Sequence, residues 1–225
     1  MNVELIGYSP NPEQIPAMAA KLTHSKTEPE RLKETSRKEL NEILKHVLKR
    51  GHTSIVEHTS FTFAVSNVSR SLTHQLVRHR IASFAQQSQR YVNLEKANYV
   101  TPPSIKKNKK AKKKYDRIIQ NIWKEYNKLL DMGIPAEDSR FVLPNSTCSN
   151  IIVTMNARSL LNFFELRCCL HAQWEIRKLA NKMLEKVKKV APIIFKNAGP
   201  PCKTKNICPE NNKDCPLFPK EKSKK

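Results

Sequence analysis

RHRIASFAQQSQRY, residues 78–91, is the stretch on which the reading turns. It holds Arg78, His79, Arg80, Ser83, Ser88 and Arg90 within thirteen positions. Guanidiniums packed so closely repel one another unless an anion sits among them. Each offers a planar fork of donors that grips phosphate at two points and stays charged at any working pH. Ser88 and the amides of a loop would add neutral donors for phosphate oxygens. The spacing predicts a phosphate or pyrophosphate site; the alternative is an exposed basic turn.

Working back from that stretch, Ser69 opens a short helix whose apolar stripe is Leu72, Leu76 and Val77. SFTFAVS at 60–66 alternates like a half-buried strand. GHTSIVEH at 51–58 is rich in hydrogen-bonding side chains, and His58 taken alone reads as a core histidine. A helix over 28–49 is carried by Leu40, Ile43, Leu44, Val47 and Leu48, with Gly51 where a C-terminal glycine belongs. VELIGYS near the start reads as a strand, and PEQIPAMAAKLTH as a helix with proline in its first turn.

Working forward, TPPS at 101–104 is a break. Beyond it the pattern predicts one helix over 105–131, with Ile118, Ile119, Ile122, Trp123, Tyr126, Leu129 and Leu130 on its core face. Gly133 and Pro135 end it, and a short helix around 135–142 precedes Pro144. IIVTM at 151–155 is a strand. Helices over 158–168 and 172–190 follow, the second burying Ile176, Leu179, Met183, Leu184 and Val187 before Pro192. Strands and helices mix without regular βαβ alternation. The expected class is therefore α+β or mixed α/β, a mixed or antiparallel sheet flanked by helices. A main domain over 1–198 and an irregular Cys-, Lys- and Pro-rich appendage over 199–225 are expected.

A second polar set lies in NARSLLNFFELRCCLHAQWE, 156–175. Asn156, Arg158, Asn162, Arg167 and His171 bracket an otherwise apolar helix. Arg167 and His171 share a face if that helix continues through both. With four glycines in the chain there is no GxGxxG turn and no Walker loop. Any dinucleotide must be held by side chains.

The composition is that of a globular protein, 39% hydrophobic and 27% charged. No apolar run suits a membrane span, and MNVELIGYSPNPEQ does not read as a signal peptide, so a cytoplasmic protein is expected. The formal charge of +21 favours anionic partners without choosing among them. Much of it lies in KKNKKAKKK (106–114) and PKEKSKK (219–225), which read as solvated lysines without the interleaved aromatics that stack bases. The six cysteines form no CxxC pair, and Cys202, Cys208 and Cys215 are spaced loosely for zinc. Reduced thiols and no metal are expected.

RHRIASFAQQSQR fits the pattern R-H-R-x2-S-x4-S-x-R and resembles the flavin-dependent thymidylate synthases. NARSLLNFF and the chain order of GHTSIVEH, the RHR segment, SRFVLP and NARSLLNF are similar too, over roughly residues 1–195. The resemblance implies a homotetramer with active sites built between subunits. It implies FAD held by Ser54, Arg78, His79, Arg80, Gln86, Asn156, Ala157, Arg158 and Asn162, with His171 near the flavin. It implies dUMP bound by Gln75, Leu76, Val77, Arg78, Gln86, Gln87, Ser88, Gln89, Arg90 and Arg140, the 86–90 loop coming from a neighbouring subunit. Arg167 matches the arginine that activates the substrate. NADPH and methylenetetrahydrofolate are the implied co-substrates. Gln86 departs from the family, which often has Glu there. On this reading dUMP is methylated to dTMP without an enzyme nucleophile; a thiol role for Cys168 or Cys169 is the alternative. Two other readings stay open: a basic nucleic-acid-binding protein, and a flavin- and folate-dependent methyltransferase acting on uracil in RNA.

Overall fold

A computed structural model describes residues 1–92, Leu94 and 96–219. Apart from Pro219, the C-terminal lysine run lies outside the described residues. Four strands, β1 (Asn2–Tyr8), β2 (Ser60–Ser69), β3 (Ser83–Gln86) and β4 (Cys148–Asn156), form one antiparallel sheet in the order β1-β2-β4-β3. Alternation explains the two central strands. Phe61, Phe63 and Val65 of β2 and Ile151, Val153 and Met155 of β4 are buried, while Thr62 and Thr154 bond across the strands at 3.0 Å.

The chain divides into two compact units. The first comprises Met1–Asn2, Val65–Arg78 and Phe84–Ile152; the second comprises Val3–Ala64, His79–Ser83 and the chain from Val153 onward. The division falls inside the RHR triplet.

In the first unit, Ser69 caps α3 (Arg70–Leu76) by accepting from Leu72 N at 3.1 Å. The expected single helix after TPPS is two. Its first turn, α4 (Pro103–Lys107), ends at Asn108, whose side chain accepts from Ala111 N and starts α5 (Lys109–Asp131). An N-capping asparagine has non-helical backbone and so breaks the continuity. Ile119, Trp123 and Tyr126 of α5 form a small core with Leu94, Tyr99 and Leu143, while Ile118, expected inside, is exposed. Trp123 donates to Leu94 O at 2.8 Å, tying the segment after the arginine motif to α5. Gly133, at φ +82°, closes α5; its N–H bonds Leu130 O and that of Ile134 bonds Leu129 O. The turn α6 (Ala136–Ser139) leads to Arg140.

In the second unit, α1 (Gln14–Leu22) packs on α2 (Arg37–Lys49). The expected helix over 28–49 is broken. Pro29–Glu34 is a 3-10 turn, and Ser36 then caps α2 by accepting from Glu39 N at 3.2 Å. Gly51, at φ +81°, ends α2 with the same pair of bonds seen after α5. A 3-10 turn, Thr53–His58, follows. Beyond β4 come α7 (Ala157–Arg167), α8 (Trp174–Val190), α9 (Pro192–Phe195) and α10 (Pro201–Thr204). All five residues expected inside α8 are buried. Pro192 opens α9, and Glu13 reaches across 180 positions to accept from Ile193 N.

Candidate active site

In the first unit the 86–90 loop is pinned to β4. Gln86 donates to Ser149 Oγ at 3.0 Å, Asn150 Nδ2 donates to Gln87 Oε1 at 2.9 Å, and Gln87 N bonds Asn150 O at 2.9 Å. Ser88 Oγ accepts from Arg90 N at 3.1 Å, a side-chain turn that shapes the loop. Arg90 then meets Glu137: its Nε and Nη2 both reach one carboxylate oxygen, at 2.9 and 2.7 Å. Arg140 donates from Nε to the backbone carbonyl of that same Glu137 at 2.9 Å. The Arg70 guanidinium is held below its usual value first by burial and then by Arg140. Two guanidiniums thus meet one acidic residue and a third lies near Arg140, so positive charge exceeds the one carboxylate.

Arg70 and Glu137 escaped the sequence reading. Arg70 carried a signal: a cation at the start of a helix opposes the dipole there. The other expected residues of this unit differ in access. Gln75 bonds Ser71 O within its helix, and Arg78 and Val77 are exposed. Leu76 is fully buried, main chain as well as side chain. Gln89 is buried, and its amide nitrogen has no partner among the described residues.

The second unit holds the rest. Asn156 caps α7, its Oδ1 accepting from Ser159 N at 2.8 Å, and Ala157 is buried at the first position of the helix. Arg158 and Asn162 lie one turn apart on the exposed side of α7. Arg158 pairs with Glu57 of the 3-10 turn that also carries Ser54. Ser54, Arg80 and His58 are exposed, which corrects the reading of His58 as a core histidine.

Arg167 is the last residue of α7. Its Nε donates to His79 Nε2 at 3.0 Å. The His79 ring stands edge-on to Phe163, centroids 4.9 Å apart at 83°. Burial, and secondarily the Arg167 guanidinium, push the His79 imidazole down to about 4. α7 does not continue to His171, which corrects the shared helical face. Cys168 ends the helix, and His171 stands exposed in the following turn with Nδ1 3.7 Å from Glu210. Cys168 is buried and its thiol is raised to about 11, so it stays protonated near neutrality and is a poor nucleophile. Among the described residues no group of three or more His, Cys, Asp or Glu could hold a metal ion. No described helix is long and apolar enough to cross a membrane.

The chain thus joins an antiparallel sheet with helices, an arginine cluster and a helix-end arginine held by an imidazole. Residues 4–193 match the family model described as "Thymidylate synthase complementing protein". The flavin-dependent thymidylate synthase of Clostridium tetani is 47% identical, covering 96% of this chain and 93% of that protein. That of Geobacter sulfurreducens is 46% identical, with coverages of 96% and 94%. That of Pyrococcus furiosus is 40% identical, with coverages of 94% and 91%. A crystal structure of the UMP/dUMP methylase PolB from Streptomyces cacaoi, bound with 5-Br dUMP, superposes with a TM-score of 0.76. It is 26% identical and covers 87% of this chain and 93% of that one. The chain belongs to the flavin-dependent thymidylate synthase family. These matches do not favour the nucleic-acid-binding reading.

Proposed function

We propose that this chain methylates dUMP to dTMP, taking the carbon from methylenetetrahydrofolate and the hydride from an FAD reduced by NADPH. The observation that carries the reading is Arg167, placed at the end of α7 and gripped through Nε by His79. A guanidinium there is charged at every working pH. It stabilises negative charge as the uracil imide nitrogen ionises, and the ring carbon becomes nucleophilic without an attacking thiol. The raised Cys168 thiol supports the same view.

Arg90, Arg140 and Ser88 hold the dUMP phosphate, with Gln75, Gln86, Gln87, Gln89 and Val77 about the nucleoside, and Arg78 shared. The donor set of the second unit suits FAD: Ser54, Arg80, Arg158 and Asn162 are exposed polar side chains around α7 and its neighbouring turn, as a protein without a glycine-rich loop requires. His79, Asn156, Ala157 and His171 belong to the same set. Bound flavin supplies the redox chemistry. The residues orient the ligands and hold the charge.

Gln86 replaces the family's frequent glutamate with an amide whose N–H₂ already donates to Ser149. A homotetramer completes the site, the 86–90 loop serving a neighbouring copy. Residues 1–198 form the catalytic domain and 199–225 an appendage, in a cytoplasmic enzyme. All four small ligands are anionic, so the charge of +21 gathers them and binding weakens with salt. The test is a visible spectrum of the purified protein followed by turnover assays. A yellow protein forming dTMP only when dUMP, NADPH and methylenetetrahydrofolate are all present is expected. A colourless protein that takes up no added FAD overturns the reading.

A further inference from the structure

Arginines in this fold are held by different partners. Arg90 pairs with Glu137 and Arg158 with Glu57. Arg167 donates through Nε to His79 Nε2 at 3.0 Å. An arginine Nε can only donate, so the histidine nitrogen facing it carries no proton, and the ring proton sits on Nδ1. Phe163 fixes the ring from the side. It is fully buried, four residues before Arg167 on α7, and its ring meets the imidazole edge-on. Phe163 and Arg167 are neighbours on one helix face, so His79 lies against both.

We propose that His79 is a positioning residue: its unprotonated Nε2 holds Arg167 by the Nε edge and fixes the plane in which the guanidinium meets the anionic pyrimidine. The inference rests on the reading of Arg167 given above. Its physical sense lies in the choice of partner. A long, rotamer-rich arginine must be ordered before it can act, and a bond at Nε orders it. A carboxylate at that nitrogen would cancel part of the charge the reaction draws on; a neutral imidazole orders the side chain and leaves that contact uncharged. Burial and the adjacent guanidinium keep the ring neutral over the whole working range.

Two measurements on the flavin-loaded enzyme test this. The first is ¹⁵N NMR of ring-labelled histidine in the unaltered protein. A neutral ring protonated on Nδ1 and unchanged from pH 8 to pH 5.5 is expected. A ring protonated on Nε2, or one that titrates near 6.5, overturns the proposal whatever the variants do. The second compares His79→Phe, which keeps the apolar edge and removes the acceptor, with His79→Gln, which restores an acceptor. His79→Phe is expected to lower kcat per bound flavin by up to about 10²-fold, with KM for dUMP changed far less. His79→Gln should recover most of the loss. If Arg167→Ala abolishes turnover while His79→Phe leaves kcat intact, positioning by His79 is refuted and the role of Arg167 stands. If Arg167→Ala itself leaves turnover intact, the reading of Arg167 fails first. If His79→Phe loses flavin, the NMR result decides.

Discussion

The arginine cluster of the first unit and the Arg167 clamp of the second use the same cation in opposite ways. Arg90 and its partner Glu137 are each about half exposed, at 50% and 47%. An exposed ion pair is worth little, so a phosphate dianion can take over such an arginine at small cost. Arg167 is half-buried at a helix end, held by a neutral ring that is itself packed on a buried phenylalanine. The first arrangement is suited to exchange of ligands, the second to fixed orientation. On the proposed roles, binding and activation are separable by substitution.

The largest separation is expected from Arg167→Ala. Removing a preorganised charge that acts in the transition state costs about 10²–10³ in kcat. Flavin content, read from the visible spectrum, should be unchanged. Arg90→Ala or Arg140→Ala should behave in the other way. Losing a charged hydrogen bond of about 1.5–3 kcal/mol raises KM for dUMP roughly ten- to hundredfold and leaves kcat nearly alone. Equal losses in kcat from both kinds of variant would erase the contrast.

A smaller effect is expected from pH. The folded His79 ring takes up its proton near 4, the unfolded chain near 6.5. As pH falls the unfolded state binds the proton first. Stability is therefore full above about 6.5, declines between 6.5 and 4, and ceases to depend on this group below that. Thermal unfolding at pH 7, 5.5 and 4 measures it, and His79→Phe should flatten the slope. The smallest effect belongs to Glu57→Gln. Breaking the exposed pair with Arg158 should cost less than about 1 kcal/mol and leave KM for dUMP unchanged.

Much of this was legible in the chain. Alternation placed β2, the run IIVTM marked the middle of β4, apolar spacing placed the buried face of α8, and Gly51 and Gly133 marked real helix ends. The two overlong helices were misread because their apolar spacing begins only after Ser36 and Asn108, so it does not mark where each helix starts, and the capping role of these two residues was not weighed. β3 was missed because four residues inside the arginine motif are too few for a period to show. The arginines themselves were legible; their partners were not. Glu137 lies 47 positions from Arg90, Glu57 101 from Arg158, and His79 88 from Arg167. Phe163 lies in the core, and its ring also meets edge-on the imidazole that the resemblance assigned to flavin.

In the proposed reaction a guanidinium, and no thiol, prepares the uracil ring for methylation. The most direct test is dTMP formation by the double variant Cys168→Ser, Cys169→Ser beside Arg167→Ala, each with its flavin measured. Near-normal synthesis from the serine variant and almost none from the alanine variant is expected. Synthesis lost with the cysteines and kept without Arg167 would contradict it.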